Sequence, residues 1–213
     1  MSRSVAGLVL GAGTSRRLGQ PKQLLEFRGK PLLQTAVDTA HAVGFDQLLV
    51  ALGGAAPEVR TAIDFGDAEV VENVHFTTGC SSSIVAALDR VDPAVEGLVL
   101  LLGDQPGVTT GTIATLLGAV GADVPLAVCR YDDGRGHPFW FARSVFADLA
   151  ELHGDKAVWK LLESGRHPVV EVPIAGDVPL DVDTWEDYER LLAQDTTDAG
   201  GSGTVGDTRD GRP

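Results

Sequence analysis

Five short runs along the chain are largely apolar: VAGLVL from Val5, QLLVAL from Gln47, AEVVE from Ala68, GLVLLL from Gly97 and PLAVCR from Pro125. A strand covered on both faces has no side to keep polar, so such runs predict buried β-strands. Between them lie PLLQTAVDTAHAVG, APEVRTAIDF, SSSIVAALDRV and TIATLLGAV, where apolar residues recur three and four apart. That spacing predicts helices with one buried face. Strands alternating with helices predict βαβ units, and right-handed crossovers then put helices on both faces of a mostly parallel sheet. The expected fold is α/β, a Rossmann-like three-layer α/β/α sandwich.

The alternation loosens after Arg130. YDDGRGHPFWF predicts a turn leading into an aromatic strand, and SVFADLAELHGDKAVWKLLESG two helices separated at Gly154. HPVVEVP predicts one more strand, and DTWEDYERLLA a last helix capped by Asp183 or Thr184. From Gln194 the chain reads QDTTDAGGSGTVGDTRDGRP, which has little apolar surface to offset its ordering entropy. The expectation is one domain over residues 1–193 and a disordered tail over 194–213. No internal repeat is present.

Composition narrows the choice of partner. The chain has 213 residues and a formal net charge of −13, which disfavours non-specific binding to nucleic acid or an anionic membrane. Against that background Arg16, Arg17, Lys22, Arg28 and Lys30 form a local basic cluster. Cys80 and Cys129 are far apart and lack a CxxC or metal-ligand pattern, as expected of reduced thiols. No apolar run nears the roughly 20 residues of a membrane helix, and the first residues lack a signal-peptide pattern. The expected compartment is the cytoplasm.

The cluster adjoins LGAGTSRRLGQPK, a glycine-rich loop at the end of the first strand. Ligands of parallel sheets bind at the carboxyl ends of strands, so the position suits a site. The Walker pattern fails because Leu18 stands where its second glycine is needed, and the dinucleotide fingerprint fails at Arg16. Gly11 and Gly13 still let backbone amides approach a ligand, and Arg16 and Lys22 add cations suited to a triphosphate.

The string resembles the signature LxxGxSxRxGxxKxLL of nucleotidyltransferases related to the molybdenum cofactor cytidylyl- and guanylyltransferases. Leu10, Gly13, Ser15, Arg16, Gly19, Lys22, Leu24 and Leu25 are read as its matching positions, and GKPLL from Gly29 continues it. The resemblance spans roughly residues 5–192. GCSSSIVAAL (Gly79 to Leu88) is similar to the family's GMSSSLxxGL, LLGDQP (Leu101 to Pro106) to its GDQP element, RGHPFWF to RGHPxxF, and DVDTWEDY (Asp181 to Tyr188) to DIDTPEDY. It implies the nucleotide-diphospho-sugar transferase type of fold and a transfer of NMP from NTP to an acceptor phosphate.

Such chemistry needs positioning and electrostatic stabilisation around the α-phosphorus, and Mg²⁺ suits it as a hard ion held by one or two carboxylates plus phosphate oxygens. The resemblance implies Asp104 as metal ligand, with Asp183 as the second; a turn-capping Asp104 or a helix-capping Asp183 would also fit those positions. Asp181 is the lesser candidate. Lys22 would neutralise the α-phosphate and Arg16 would grip the β- and γ-phosphates, while Arg17 would face the surface or make a secondary contact. The loop residues Leu10, Gly11, Ala12, Gly13 and Ser15 would hold the nucleotide. Ser81 or Ser82 would lie beside base and ribose, or simply cap a helix. His137 and Asp155 fall on the acceptor side.

Family loops read LAAG in cytidylyl enzymes and LAGG in guanylyl enzymes, and here Leu10-Gly11-Ala12-Gly13 keeps the cytidylyl alanine while Gly11 departs from both. A methyl at Ala12 narrows the base pocket toward a pyrimidine, so CTP is the expected nucleotide. The acceptor element GDxGAR reads Gly154-Asp155-Lys156-Ala157-Val158-Trp159, with its second glycine and its arginine replaced. Molybdopterin is the expected acceptor, with passing contact to the enzymes that receive the finished cofactor. Alternatives are the same chemistry with GTP or on a sugar phosphate or phospho-acid, and a non-catalytic nucleotide-binding regulator. Intact Lys22 and Asp104 speak against the regulator.

Overall fold

Among the residues described by the computed structural model, 3–13 and 15–200, the apolar runs become strands of one seven-stranded sheet, four of them inside it and AEVVE at its edge rather than covered on both faces. The strands are β1 (Val5–Gly11), β2 (Glu26–Phe27), β3 (Lys30–Pro31), β4 (Gln47–Leu52), β5 (Glu69–Glu72), β6 (Gly97–Leu102), β7 (Leu126–Arg130), β8 (Arg135–Ala142) and β9 (Val169–Pro173). The helices are α1 (Leu32–Val43), α2 (Ala56–Ala62), α3 (Cys80–Leu88), α4 (Thr110–Ala119), α5 (Phe146–Ala150), α6 (Ala157–Glu163) and α7 (Trp185–Gly200). The sheet order is β5-β4-β1-β6-β8-β7-β9, and β2 and β3 form a separate hairpin.

Strands β5, β4, β1 and β6 are mutually parallel, as the crossover helices require. Strand β8 runs antiparallel to both β6 and β7, and β9 returns parallel to β7. The cause is chain length. Only residues 131–134 join β7 to β8, closed by Tyr131 N–H donating to the Gly134 carbonyl at 2.8 Å. A parallel partner would need a crossover of a dozen or more residues, so a short turn dictates a hairpin.

Side chains alternate between two cores. Val9, Val50, Val99, Ala127 and Trp140 bury against Leu33, Val37, Val59, Ile113 and Leu116 of α1, α2 and α4. Leu8, Leu49, Leu98, Leu100, Phe139 and Phe141 bury against Ile84 of α3, Leu149 of α5 and Leu161 of α6. Each large side chain so covered stabilises the sandwich by about 1.5–3 kcal/mol. This is the expected three-layer fold.

A third, smaller core decides where the site lies. Leu18, Leu25, Phe27 and Leu32, from the segment after β1, pack with Val182 and Leu191 from the far end of the chain. Tyr188 Oη donates to the Glu26 carbonyl at 2.6 Å across the same seam. The expected tail boundary at 194 needs correction, because α7 continues to Gly200 and Asp195 pairs with Arg28. Once α7 is nucleated on its packed turns, each further residue adds a hydrogen bond at little cost, so polar composition does not end the helix. The rest of the expected tail, 201–213, lies outside the described residues.

Candidate active site

A cleft of about 850 Å³ opens at the carboxyl ends of β1 and β6. The glycine loop forms one wall, the start of α3 and the segment before α6 form the other, and Asp104, Asp181 and Asp183 stand between them. The loop takes its shape from buried fastenings. Gln23, only 4% exposed, donates through Nε2 to the carbonyls of Gly11 at 2.6 Å and Gly13 at 3.1 Å. Ser15 adopts φ 49°, in the left-handed region, and its Oγ accepts from Lys22 N–H at 2.8 Å. A Cβ on Gly13 would lie 3.0 Å from Lys22 Cε, so the bare backbone there leaves room for the lysine stem.

Lys22 is the centre of the site. Its ammonium donates to Asp104 Oδ2 and, at 2.6 Å, to Asp183 Oδ1. Burial works against a charge on this side chain, but the two carboxylates outweigh it and hold the lysine above its ordinary pKa. Asp104 follows the last residues of β6, and its carbonyl accepts from Val182 N–H at 3.3 Å, which draws the Asp181–Asp183 strip alongside. Asp183 is free to point at Lys22 because its neighbour does the capping. Thr184 Oγ1 accepts from Asp187 N–H at 3.2 Å while the Asp187 carboxylate accepts from Thr184 N–H at 3.0 Å, a reciprocal cap at the start of α7. Of the two caps expected from the sequence, Thr184 is the one formed.

Asp181 also lines the cleft, and burial, then the Asp104 and Asp183 charges, push its carboxyl up to about 7. The anionic strip therefore carries more negative charge than one ammonium balances. Among the described residues no group of three or more His, Cys, Asp or Glu side chains is arranged to hold a metal ion. The fit here is of another kind: two carboxylates converging on one cation, with the remaining positions open to ligand oxygens, as Mg²⁺ and Mn²⁺ accept.

The structure brings most of the expected site residues together and separates some. Leu10, Gly11, Ala12, Gly13, Ser15, Arg16, Lys22, Asp104, Asp183, His137 and Asp155 all line the cleft. Arg17 lines it too, and counted from Leu10 the arginine of the LxxGxSxRxGxxKxLL signature falls on Arg17 rather than Arg16. The assignment of that position to Arg16 is thereby corrected. Ser81 and Ser82 do not face the cleft, because α3 starts at Cys80 and its cleft-facing positions are Cys80, Ser83 and Ile84, spaced by three and four. Ser82 Oγ donates to the Gly79 carbonyl at 2.7 Å and accepts from Asn73 Nδ2 at 2.8 Å, so it braces the loop. It does not cap the helix; Gly79 occupies that position. Arg28 and Lys30 leave the basic cluster for partners of their own, Asp195 and Asp38.

One contribution escapes sequence reasoning. Gln23 sits between two motif positions, and nothing local distinguishes a buried brace from an exposed amide. The facing wall sets aromatic rings beside Asp155 and Lys156, and Trp159 stands where the family pattern has arginine. Trp159 meets Phe139 edge-on at 5.1 Å, and the His137 ring lies 4.1 Å from Phe139. Burial drives the His137 imidazole down to about 3, so it stays neutral.

Comparison with known proteins adds a pattern to this geometry. The model of the MobA-like NTP transferase domain matches residues 7–170. The crystal structure of Rv0371c from Mycobacterium tuberculosis H37Rv is 52% identical, with TM-score 0.84, covering 91% of this chain and 99% of that one. A structure of the same protein in complex with manganese is 50% identical, with TM-score 0.80, over 89% of this chain and 98% of that one. Nicotine blue oxidoreductase of Paenarthrobacter nicotinovorans is 32% identical over 197 residues, 88% of this chain and 96% of that protein. The bifunctional protein GlmU of Paraburkholderia phymatum is 34% identical over 119 residues, 54% of this chain and only 26% of its own length.

Proposed function

Because the chain belongs to the MobA-like NTP transferase domain family, a family of nucleotidyltransferases, we propose that it moves CMP from CTP to the terminal phosphate of molybdopterin, with Mg²⁺. The observation that carries this reading is the convergence of Lys22, Asp104 and Asp183 beside the glycine loop. In the reaction an acceptor phosphate oxygen bonds to the α-phosphorus, the bond from that phosphorus to the α–β bridging oxygen breaks, and pyrophosphate leaves with the electron pair. Negative charge moves toward the leaving oxygens. Lys22, Arg16 and Arg17 are the cations of the loop wall that would meet it. Amides freed by Gly11 and Gly13 would approach the phosphates, and the methyl of Ala12 favours the smaller base. A divalent ion held by Asp104 and Asp183 would supply charge neutralisation and alignment of the phosphates. A relative solved with manganese supports a divalent site of this type.

On the acceptor side Trp159 replaces the arginine that would grip a phosphate or pterin. A neutral His137 fits a positioning role, because a phosphate nucleophile needs no base. A second reading has one specific observation behind it: the relative named nicotine blue oxidoreductase matches almost the whole length of this chain. On that reading the cleft holds a nucleotide cofactor for a redox reaction. The expected site of action is the cytoplasm, and no described helix is long and apolar enough to cross a membrane.

One assay separates these readings. Pyrophosphate release is measured for each of the four NTPs, with and without molybdopterin, beside oxidation of NADH and NADPH with quinone-type acceptors. Pyrophosphate from CTP only with molybdopterin supports the proposal; release with a sugar phosphate instead moves the acceptor. Nicotinamide oxidation without pyrophosphate would replace it by the redox reading.

A further inference from the structure

The two carboxylates that a divalent ion would need are both already occupied by Lys22. Its ammonium donates to Asp104 Oδ2 and Asp183 Oδ1, and its side chain is only 12% exposed. Two of the three N–H bonds of that ammonium are spent on these oxygens. An ion coordinated by the same oxygens would face the ammonium at close range, where like charges repel strongly in a partly buried site. Lysine and metal therefore compete for one position.

The lysine is built to yield that position without moving the backbone. Lys22 N–H is tied to Ser15 Oγ at 2.8 Å, and the Lys22 carbonyl accepts from Leu25 N–H at 3.1 Å. The stem, by contrast, crosses bare backbone, with Cε 3.0 Å from the point a Gly13 Cβ would take. Rotation about the stem would carry the ammonium from the carboxylates toward the glycine loop, where the reading above puts the triphosphate.

We infer that Lys22 is a placeholder cation: in the ligand-free protein it neutralises Asp104 and Asp183, and a divalent ion displaces it when a nucleotide arrives to receive the ammonium. The inference rests on the metal and nucleotide reading of the cleft. An ion arriving alone must break two ion pairs and strand a buried ammonium. An ion arriving with a triphosphate gives that ammonium a new anion, so metal and nucleotide should enter as a pair.

The test is Mn²⁺ binding to the whole chain without nucleotide, read from the electron paramagnetic resonance signal of the free ion. Lys22→Met keeps the length of the stem and removes the charge. It should bind Mn²⁺ at least about tenfold more tightly than wild type, since no ion pair has to be broken first. Lys156→Met removes a cleft cation from the opposite wall and should change Mn²⁺ affinity less than about twofold; a gain equal to that of Lys22→Met would reduce the effect to net charge and overturn the placeholder. Lys22→Gln serves in place of the methionine variant if the latter does not fold. Unchanged or weaker Mn²⁺ binding in the Lys22 variant, with loss of binding in Asp104→Asn, overturns the placeholder and leaves the metal site standing. Mn²⁺ binding indifferent to both Asp104→Asn and Asp183→Asn overturns the reading of the cleft itself.

Discussion

Gly79 and Gly154 touch backbone to backbone. A Cβ on Gly79 would lie 2.7 Å from the Gly154 carbonyl carbon, and Gly79 sits at φ 116°, a conformation side chains rarely adopt. Beside this contact Cys80 N–H donates to Asp155 Oδ1 at 3.1 Å. The start of α3 and the segment before α6 thus meet at a point where no side chain fits. Gly79→Ala should cost roughly 1–3 kcal/mol from backbone strain, with more from the clash. Because it parts two segments of one cleft wall, nucleotide affinity should fall alongside stability. Urea unfolding and nucleotide titration check the two effects; a variant as stable as wild type would show that the two segments move apart freely.

Asp104→Asn keeps the shape of the side chain and the turn that follows β6, and removes one charge from the pair facing Lys22. Loss of a preorganised electrostatic group of this kind costs about 10²–10³-fold in rate. Pyrophosphate release against Mg²⁺ concentration should show that loss and a higher midpoint, with an unchanged circular dichroism spectrum. Turnover within about threefold of wild type at the same midpoint would make Asp104 a turn residue only.

Ala12 is 9% exposed and lines the cleft, so its methyl is a fixed wall rather than a mobile one. Ala12→Gly should raise kcat/KM for GTP relative to CTP by about tenfold, the scale of one methyl in a fitted pocket. Competition between the two nucleotides measures the ratio directly. A ratio that does not move would take base selection away from this residue.

His137 makes acid stability testable. Desolvation at its half-buried place in the cleft pushes the imidazole down to about 3, against about 6.5 in an unfolded chain. Between those values the unfolded chain binds a proton that the folded chain refuses. The residue therefore costs nothing above about pH 6.5, and its penalty grows as pH falls toward 3, by at most about 1.4 kcal/mol per pH unit. His137→Gln should flatten the decline in unfolding free energy between pH 6 and pH 4, relative to wild type, by about that slope. Parallel pH profiles would show that the imidazole is protonated in the folded protein.

The chain alone determined a great deal here, because the decisive signals are local. Runs such as VAGLVL and GLVLLL can only be strands covered on both faces, and they are β1 and β6. The glycine loop lies at the end of β1, and the cleft is there. What tertiary structure decided are relations between distant parts. The reversal of β8 follows from a turn too short to cross the sheet, and its place between β6 and β7 is a matter of pairing rather than pattern. Whether Ser81 and Ser82 or Cys80 and Ser83 face a ligand depends on where α3 begins, which fixes the phase of the whole helix. Arg28 and Lys30 look like members of one basic patch until Asp195 and Asp38 claim them. Lys22 and Asp183 are 161 residues apart, and they meet because Leu18, Leu25 and Phe27 bury against Val182 and Leu191. That small apolar core carries no chemistry, yet it brings the second carboxylate to the loop, and no periodicity within either segment announces which partner its apolar face will find.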